Sequence, residues 1–151
     1  MERSKYTALE IAEWFLYYNR CIMEDSDAEF ISNLKLQKLL YYAQGCYLAL
    51  RDKPLFDDNI LAWKHGPVVN EVYQKYKNYG STGIPYNANY QGMIDEDTEN
   101  ILKQVYGEFG QYSAWGLRNM THQETPWKET PQNGIIKPDV IKEYFKANYI
   151  E

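Results

Sequence analysis

Leu34–Leu50, LKLQKLLYYAQGCYLAL, is the stretch whose reading decides the fold. Leu36, Leu39, Leu40, Ala43, Tyr47 and Leu50 recur at steps of three and four, the spacing that keeps side chains on one face of an α-helix. Leu34, Tyr41 and Leu48 form a second apolar stripe more than a quarter-turn away, with Gly45 beside it. A helix apolar along two stripes is sandwiched between neighbours rather than laid on top of them. Gly45 costs about 1 kcal/mol of helix propensity relative to Ala, and close backbone approach by another element is the reason to tolerate it. The segment is therefore read as a central, buried helix. Ser32 and Asn33 offer its N-cap, and Arg51-Asp52-Lys53-Pro54 ends it, because Pro54 disfavours helical geometry at the residue before it.

Working outward, Thr7 and Glu10 have the spacing of a capping box, and Ile11, Phe15, Tyr18 and Ile22 mark one face of a first helix ending near Met23. The acidic segment Glu24–Glu29 reads as a loop. After the central helix, Asp57-Asp58-Asn59 is turn chemistry and Ile60–Lys64 a brief strand. His65-Gly66-Pro67 then reads as a switch into a helix, with Gly66 as cap and Pro67 in the first helical position. Its packed side would be Val69, Val72, Tyr73, Tyr76 and Tyr79, with Gly80 as its stop. The free N–H groups of such a turn at Pro67-Val68-Val69 would offer a weak anion site. The polar loop 81–92 carries Tyr86 and Tyr90 and is long enough for a binding loop. Asp95 caps a helix with Ile101, Leu102, Val105 and Phe109 inward, and Ser113 caps a shorter one through Leu117 and Met120. Thr125 precedes Pro126 as a cap, and Trp127 anchors that turn. Ile135-Ile136, after the Asn133-Gly134 turn, pairs with Ile60-Leu61-Ala62, and Pro138 opens a last helix with Ile141, Tyr144 and Phe145 inward. The expectation is a mainly α, single compact domain over residues 1–151, built around one buried helix with a small two-stranded β element. No internal repeat, linker or second domain is visible.

Composition narrows the function. A chain of 151 residues suits one domain, which at this size removes about 70% of the unfolded surface from water. With 16 basic and 21 acidic residues the net charge is −5, opposite to the footprint of a nucleic-acid binder. No apolar run approaches the ~18 residues of a membrane span, so a cytoplasmic protein without a membrane partner is expected. Cys21 and Cys46 lie 25 positions apart inside helical patterns and read as buried, reduced thiols. Tyrosine, at 15 residues, suits either a tyrosine-edged core or a partner surface.

Chemical constellations are sparse. His122-Gln123-Glu124 opens the zinc-deaminase signature, but the required downstream Cys pair is missing. His65 and His122 are the residue types for an acid and a base, although a histidine beside a turn commonly satisfies backbone carbonyls instead. No Ser sits on a G-x-S-x-G elbow, and no phosphate-binding glycine loop is present. No catalytic residue, cofactor or metal is assigned. Trp63 and Trp127 read as core anchors, or as aromatics flanking a groove.

LKLQKLLYYAQG, Trp63-Lys64-His65-Gly66-Pro67-Val68, then Thr121-His122 with Glu124 and Pro126-Trp127 downstream, and the closing VIKEYF together resemble the Panacea antitoxin domain. This is the SocA-like and GepA-like group of bacterial and phage genomes, and the likeness runs from Leu34 to Phe145 with Tyr6–Tyr18 as first helix. The resemblance implies a mostly helical domain that serves as the antitoxin of a toxin–antitoxin pair. Such domains neutralise unrelated toxins mainly by protein–protein contact, and some members present the toxin to a host protease. It implies no enzymatic activity and no cofactor. The partner-binding candidates are Trp63, His65, Gly66, Pro67, Val68, His122, Glu124, Pro126 and Trp127, together with Tyr86 and Tyr90 in the outer loop. The two turns should converge beside the central helix, and the toxin is expected to be basic or apolar. Two alternatives stand beside this reading: a small ligand-binding or hydrolytic domain using His65, His122 and Glu124, and a DNA-binding regulator, which the net charge disfavours.

Overall fold

The computed structural model describes residues 4–26, 28–86 and 90–150. The elements run α1 (Ala8–Met23), α2 (Asn33–Arg51), β1 (Ile60–Trp63), β2 (Gly66–Val68), α3 (Asn70–Tyr76) and a 3₁₀ turn (Lys77–Tyr79). There follow α4 (Glu96–Phe109), α5 (Ala114–His122), α6 (Thr125–Lys128), β3 (Ile135–Ile136) and α7 (Pro138–Asn148). α2 occupies the centre, with α1, α3, α4, α5, α7 and β2 packed around it.

Both apolar stripes of α2 are covered: Leu36, Leu39, Leu40, Ala43 and Tyr47 on one, Tyr41 and Leu48 on the other. Leu34 is half-buried and Leu50 exposed, so the sandwich is open at the two ends of the helix. Gly45 is where α7 crosses, and a Cβ built there would lie 2.4 Å from the Phe145 ring. The close neighbour is thus a side chain and not the backbone expected. Phe145 is fully buried, and removing a ring of that size from water stabilises the fold by roughly 2–3 kcal/mol.

Four polar residues of α2, Asn33, Gln37, Lys38 and Gln44, are buried too, and together they fasten other segments to it. Gln37 accepts the Val69 N–H at 2.9 Å and donates to Asn33 Oδ1 at 2.9 Å, while Asn33 donates to the Tyr73 carbonyl at 3.2 Å. Gln44 donates to the Phe56 carbonyl at 2.8 Å and accepts the Leu55 N–H at 2.7 Å. Lys38 Nζ donates to the Pro67 carbonyl at 2.9 Å. A buried amide or ammonium must find partners, so these side chains fix where the strands dock.

The Thr7–Glu10 capping box, Ser32, Asp95 and Ser113 all serve as N-caps, each worth about 1 kcal/mol. β3 pairs with β1 through Ile60↔Ile136 and Leu61↔Ile135, as the sequence suggests. The sheet nevertheless has three strands, in the order β2-β1-β3. Gly66–Val68 continues as an edge strand antiparallel to β1, with Trp63↔Gly66 and Ala62↔Pro67 in register, and the helix begins only at Asn70. Lys38 and Gln37 hold Pro67 and Val69 extended, and an edge position suits a residue without an N–H. With Val69 N–H taken by Gln37 and Val68 within β2, the anion site expected at 67–69 does not form.

Four smaller expectations are corrected. Glu124, not Thr125, is the cap residue before α6, and it makes no side-chain capping bond because its carboxylate is engaged elsewhere. Tyr79 is exposed because the helix gives way to the 3₁₀ turn before reaching it. Cys21 lies on the outer face of α1 and is exposed, while Cys46 is half-buried; both are free. The tip of the 81–92 loop, residues 87–89, and Asp27 of the acidic loop lie outside the described residues. No helix among the described residues is long and apolar enough to cross a membrane.

Candidate functional site

The two turns meet. Trp127 Nε1 donates to the Trp63 carbonyl at 2.8 Å, and the His122 ring stacks on Trp127 with centroids 3.9 Å apart and planes 5° from parallel. Gly66, at φ 109°, fits flush between α2 and α5: a Cβ there would lie 2.7 Å from Lys38 Cε and 2.9 Å from Thr121 Oγ1. Only glycine suits both that φ and that gap. Pro67, Val68 and Pro126 are buried and hold the turns in place, while Trp63, His122 and Trp127 are half-buried and His65 is exposed.

Glu124 points the other way, into the core. It is 3% exposed, and its carboxylate accepts from Tyr41 at 2.9 Å, from Tyr42 at 3.0 Å and from Tyr149 of the C-terminal segment. Burial pushes its carboxyl above the usual range, and the three phenol bonds act against that rise. Burial, with the nearby Glu124 charge, raises the phenols of Tyr41 and Tyr42. The same two causes push the Cys46 thiol up to about 12, which makes it a poor nucleophile.

Around the hairpin the electrostatics reverse. Lys38 is fully buried, and burial together with the neighbouring Arg118 guanidinium brings its ammonium down to about 7. His65 and His122 are each lowered by burial and then by Arg118. Arg118 Nε donates to His65 Nδ1 at 3.3 Å, a contact that suits the neutral imidazole. The guanidinium lies 4.3 Å over the ring of Trp115, itself 54% exposed. His122 Nε2 is buried with no hydrogen-bond partner among the described residues.

Of the sequence candidates, the structure therefore joins Trp63 through Val68 with His122, Pro126 and Trp127, and it separates the rest. Glu124 supports the turn from inside. Tyr86 and Tyr90 pack on Tyr17 of α1, with centroids 5.7 and 4.6 Å away. As a hydrolytic set, His65, His122 and Glu124 are divided among different partners: Arg118, Trp127 and the tyrosines. No cluster of three or more metal-ligating side chains occurs among the described residues. Sequence reasoning missed Lys38, Trp115 and Arg118. The signal for Lys38 was a charge inside the most buried helix, and for Trp115 and Arg118 an i, i+3 pair on one face of α5.

A family described as antitoxin SocA-like, Panacea domain, matches residues 36–128, from α2 through α6. The match includes both turns and stops short of α7. Antitoxin SocA from Caulobacter vibrioides (strain NA1000 / CB15N) is 33% identical over 109 residues, covering 64% of this chain and 58% of that protein. The chain thus spans less than two thirds of that relative's length. No solved structure matches it.

Proposed function

The chain belongs to the SocA-like antitoxins with a Panacea domain, and on that premise we propose that it is the antitoxin of a toxin–antitoxin pair and acts by binding its cognate toxin directly, in the cytoplasm. The observation that carries this reading is that the matched region, residues 36–128, includes both clamped turns. With Trp115 and Arg118 of α5 they form a surface of tryptophan, histidine and arginine side chains, and tryptophan and arginine are among the types that dominate binding energy at protein interfaces. Rigidity favours affinity, because little ordering entropy remains to be lost on contact. A stable complex buries about 800 Å² on each partner, so the outer faces of α5 and α3 contribute beside the turns.

The partners of the three candidate groups favour binding over catalysis. An acid–base pair works within hydrogen-bond reach of a common reacting atom, and here the carboxylate lies among tyrosines while the imidazoles face the hairpin. The test is co-expression with the protein encoded beside this gene. Growth of cells poisoned by that protein is restored, and a His65→Ala, His122→Ala double variant that still folds turns over no small molecule differently from wild type. Failure of rescue by the folded wild-type chain contradicts the proposal.

A further inference from the structure

Three stretches of this negative chain carry no acid. There is no Asp or Glu between Phe30 and Arg51, between Asn59 and Asn70, or between Phe109 and Gln123, although the chain holds 21 of them. These segments supply α2, the β1–β2 hairpin and α5, which converge at the site. The ion pairs among the described residues all lie elsewhere: Arg20–Glu24, Arg51–Asp97, Lys75–Glu13, Lys103–Glu99, and Asp52 with Lys142 and Lys146. Among the described residues Arg118 and Lys64 therefore have no carboxylate partner, and the buried Lys38 beneath them is held by the Pro67 carbonyl.

Arg118 is also held in a fixed pose. One face rests on Trp115 at 4.3 Å, Nε is given to His65 at 3.3 Å, and Nη1 to Asn119 Oδ1 at 2.9 Å, which leaves Nη2 without a partner among the described residues. A guanidinium already oriented loses little entropy on meeting a carboxylate. Beyond His65 the same surface dips into a groove of about 350 Å³, walled by Trp63, Tyr73, Val68 and Leu34 and rimmed by Lys64 and Lys77.

We infer that this face takes an acidic segment of the partner protein, with a carboxylate on Arg118 Nη2, a second near Lys64, and apolar side chains on Trp115 and in the groove. The inference rests on the antitoxin reading above and gives the chemistry of the partner at one contact. It departs from the expectation of a basic or apolar toxin, because the local charge here is opposite in sign to the total. Charge complementarity of this kind sets partner choice and association rate. A nucleic acid is the less suitable occupant, because phosphate-driven binding needs a stripe of cations and suffers from a net charge of −5.

The probe is the purified protein encoded beside this gene, titrated calorimetrically against the full chain. Arg118→Glu is expected to weaken binding roughly 100-fold and Trp115→Ala roughly 10-fold or more, as hot-spot changes do. Lys53→Glu makes the same change in net charge at an exposed site away from this face, and it stays within about threefold of wild type, as a remote surface charge should. A Lys placed at the contacting acidic position of the toxin restores binding to Arg118→Glu. Should Arg118→Glu misfold on melting, Arg118→Ala and Trp115→Ala carry the comparison. Arg118→Glu binding like Lys53→Glu while wild type binds overturns the inference and leaves the antitoxin reading standing. Wild type that neither binds nor rescues overturns both. A labelled oligonucleotide bound by wild type and lost in Arg118→Glu assigns the face to nucleic acid and overturns it as well.

Discussion

Lys38→Met tests the least expected feature of the fold, a charge at the heart of its most buried helix. The side chain is fully buried and makes one hydrogen bond among the described residues, to the Pro67 carbonyl. Its ammonium falls from 10.5 to about 7 through burial and the Arg118 charge. At about 1.4 kcal/mol per tenfold change, holding that proton in the folded state costs roughly 4–5 kcal/mol at pH 7. Methionine keeps the length and shape, removes the charge and leaves the Pro67 carbonyl unpaired, a loss of roughly 1–2 kcal/mol. The variant is therefore more stable than wild type by roughly 2–3 kcal/mol at pH 7, a rise in Tm of about 5–10 °C. The pH dependence gives a second reading. Because the folded value lies below the unfolded one, Lys38 holds more protons in the unfolded chain between pH 7 and 10.5, and its own contribution to stability rises with pH across that window. Wild type gains roughly 1.5–2 kcal/mol from pH 7 to 8.5 by this route, and Lys38→Met gains none of it. Above that range the unfolded chain's thiols and phenols ionise first, since folding raises Cys46 and Tyr41, and the trend reverses. His65 and His122, lowered from 6.5, act only at more acid pH. The assay is thermal melting by circular dichroism at pH 7.0, 7.75 and 8.5. A variant less stable than wild type at pH 7, or an equal pH slope in both proteins, refutes the reasoning.

Other substitutions test the packing around the site. Gly45→Ala pushes a methyl into the Phe145 ring and is expected to cost about 1–3 kcal/mol in urea unfolding; a neutral result would show that α7 can slide. Gly66→Ala sets a side chain at φ 109° against Lys38 and Thr121, and a loss of at least about 2 kcal/mol is expected, with the hairpin amides exchanging faster by hydrogen–deuterium exchange. Glu124→Ala leaves the hydroxyls of Tyr41, Tyr42 and Tyr149 without their acceptor, for a loss of about 3 kcal/mol or more; Glu124→Gln, which keeps an acceptor, loses less. Chemical denaturation ranks the two, and equal losses would contradict the role given to the carboxylate.

The sequence made the core legible because its information is periodic. Two stripes on one helix can be satisfied only by burial on both sides, and α2 is buried on both. Caps and the β1–β3 pairing are likewise local or short-range patterns. The meeting of the two turns was legible because Trp, His and Pro rarely crowd outside helix faces without packing on one another. What escaped was decided at long range. Gly66-Pro67 has the local chemistry of a helix start, and it becomes a strand because Lys38 and Gln37 grip it from α2. Glu124 sits in an H-x-E that looks like surface chemistry, yet tyrosines from α2 and the C-terminal segment draw it inward. Arg118 and Trp115 belong to no motif, and they gain meaning only from His65 beside them and from the acids that are absent. Net charge averaged that face away.

The most direct test of the account is whether this chain and the protein encoded beside it form one complex when purified and mixed. Size-exclusion chromatography with light scattering, at protein concentrations about ten times the calorimetric Kd, is predicted to show mostly a species containing both chains, largely lost for Arg118→Glu and kept for Lys53→Glu. Growth rescue in cells with no complex in solution, or with the toxin merely disappearing, would contradict neutralisation by direct contact.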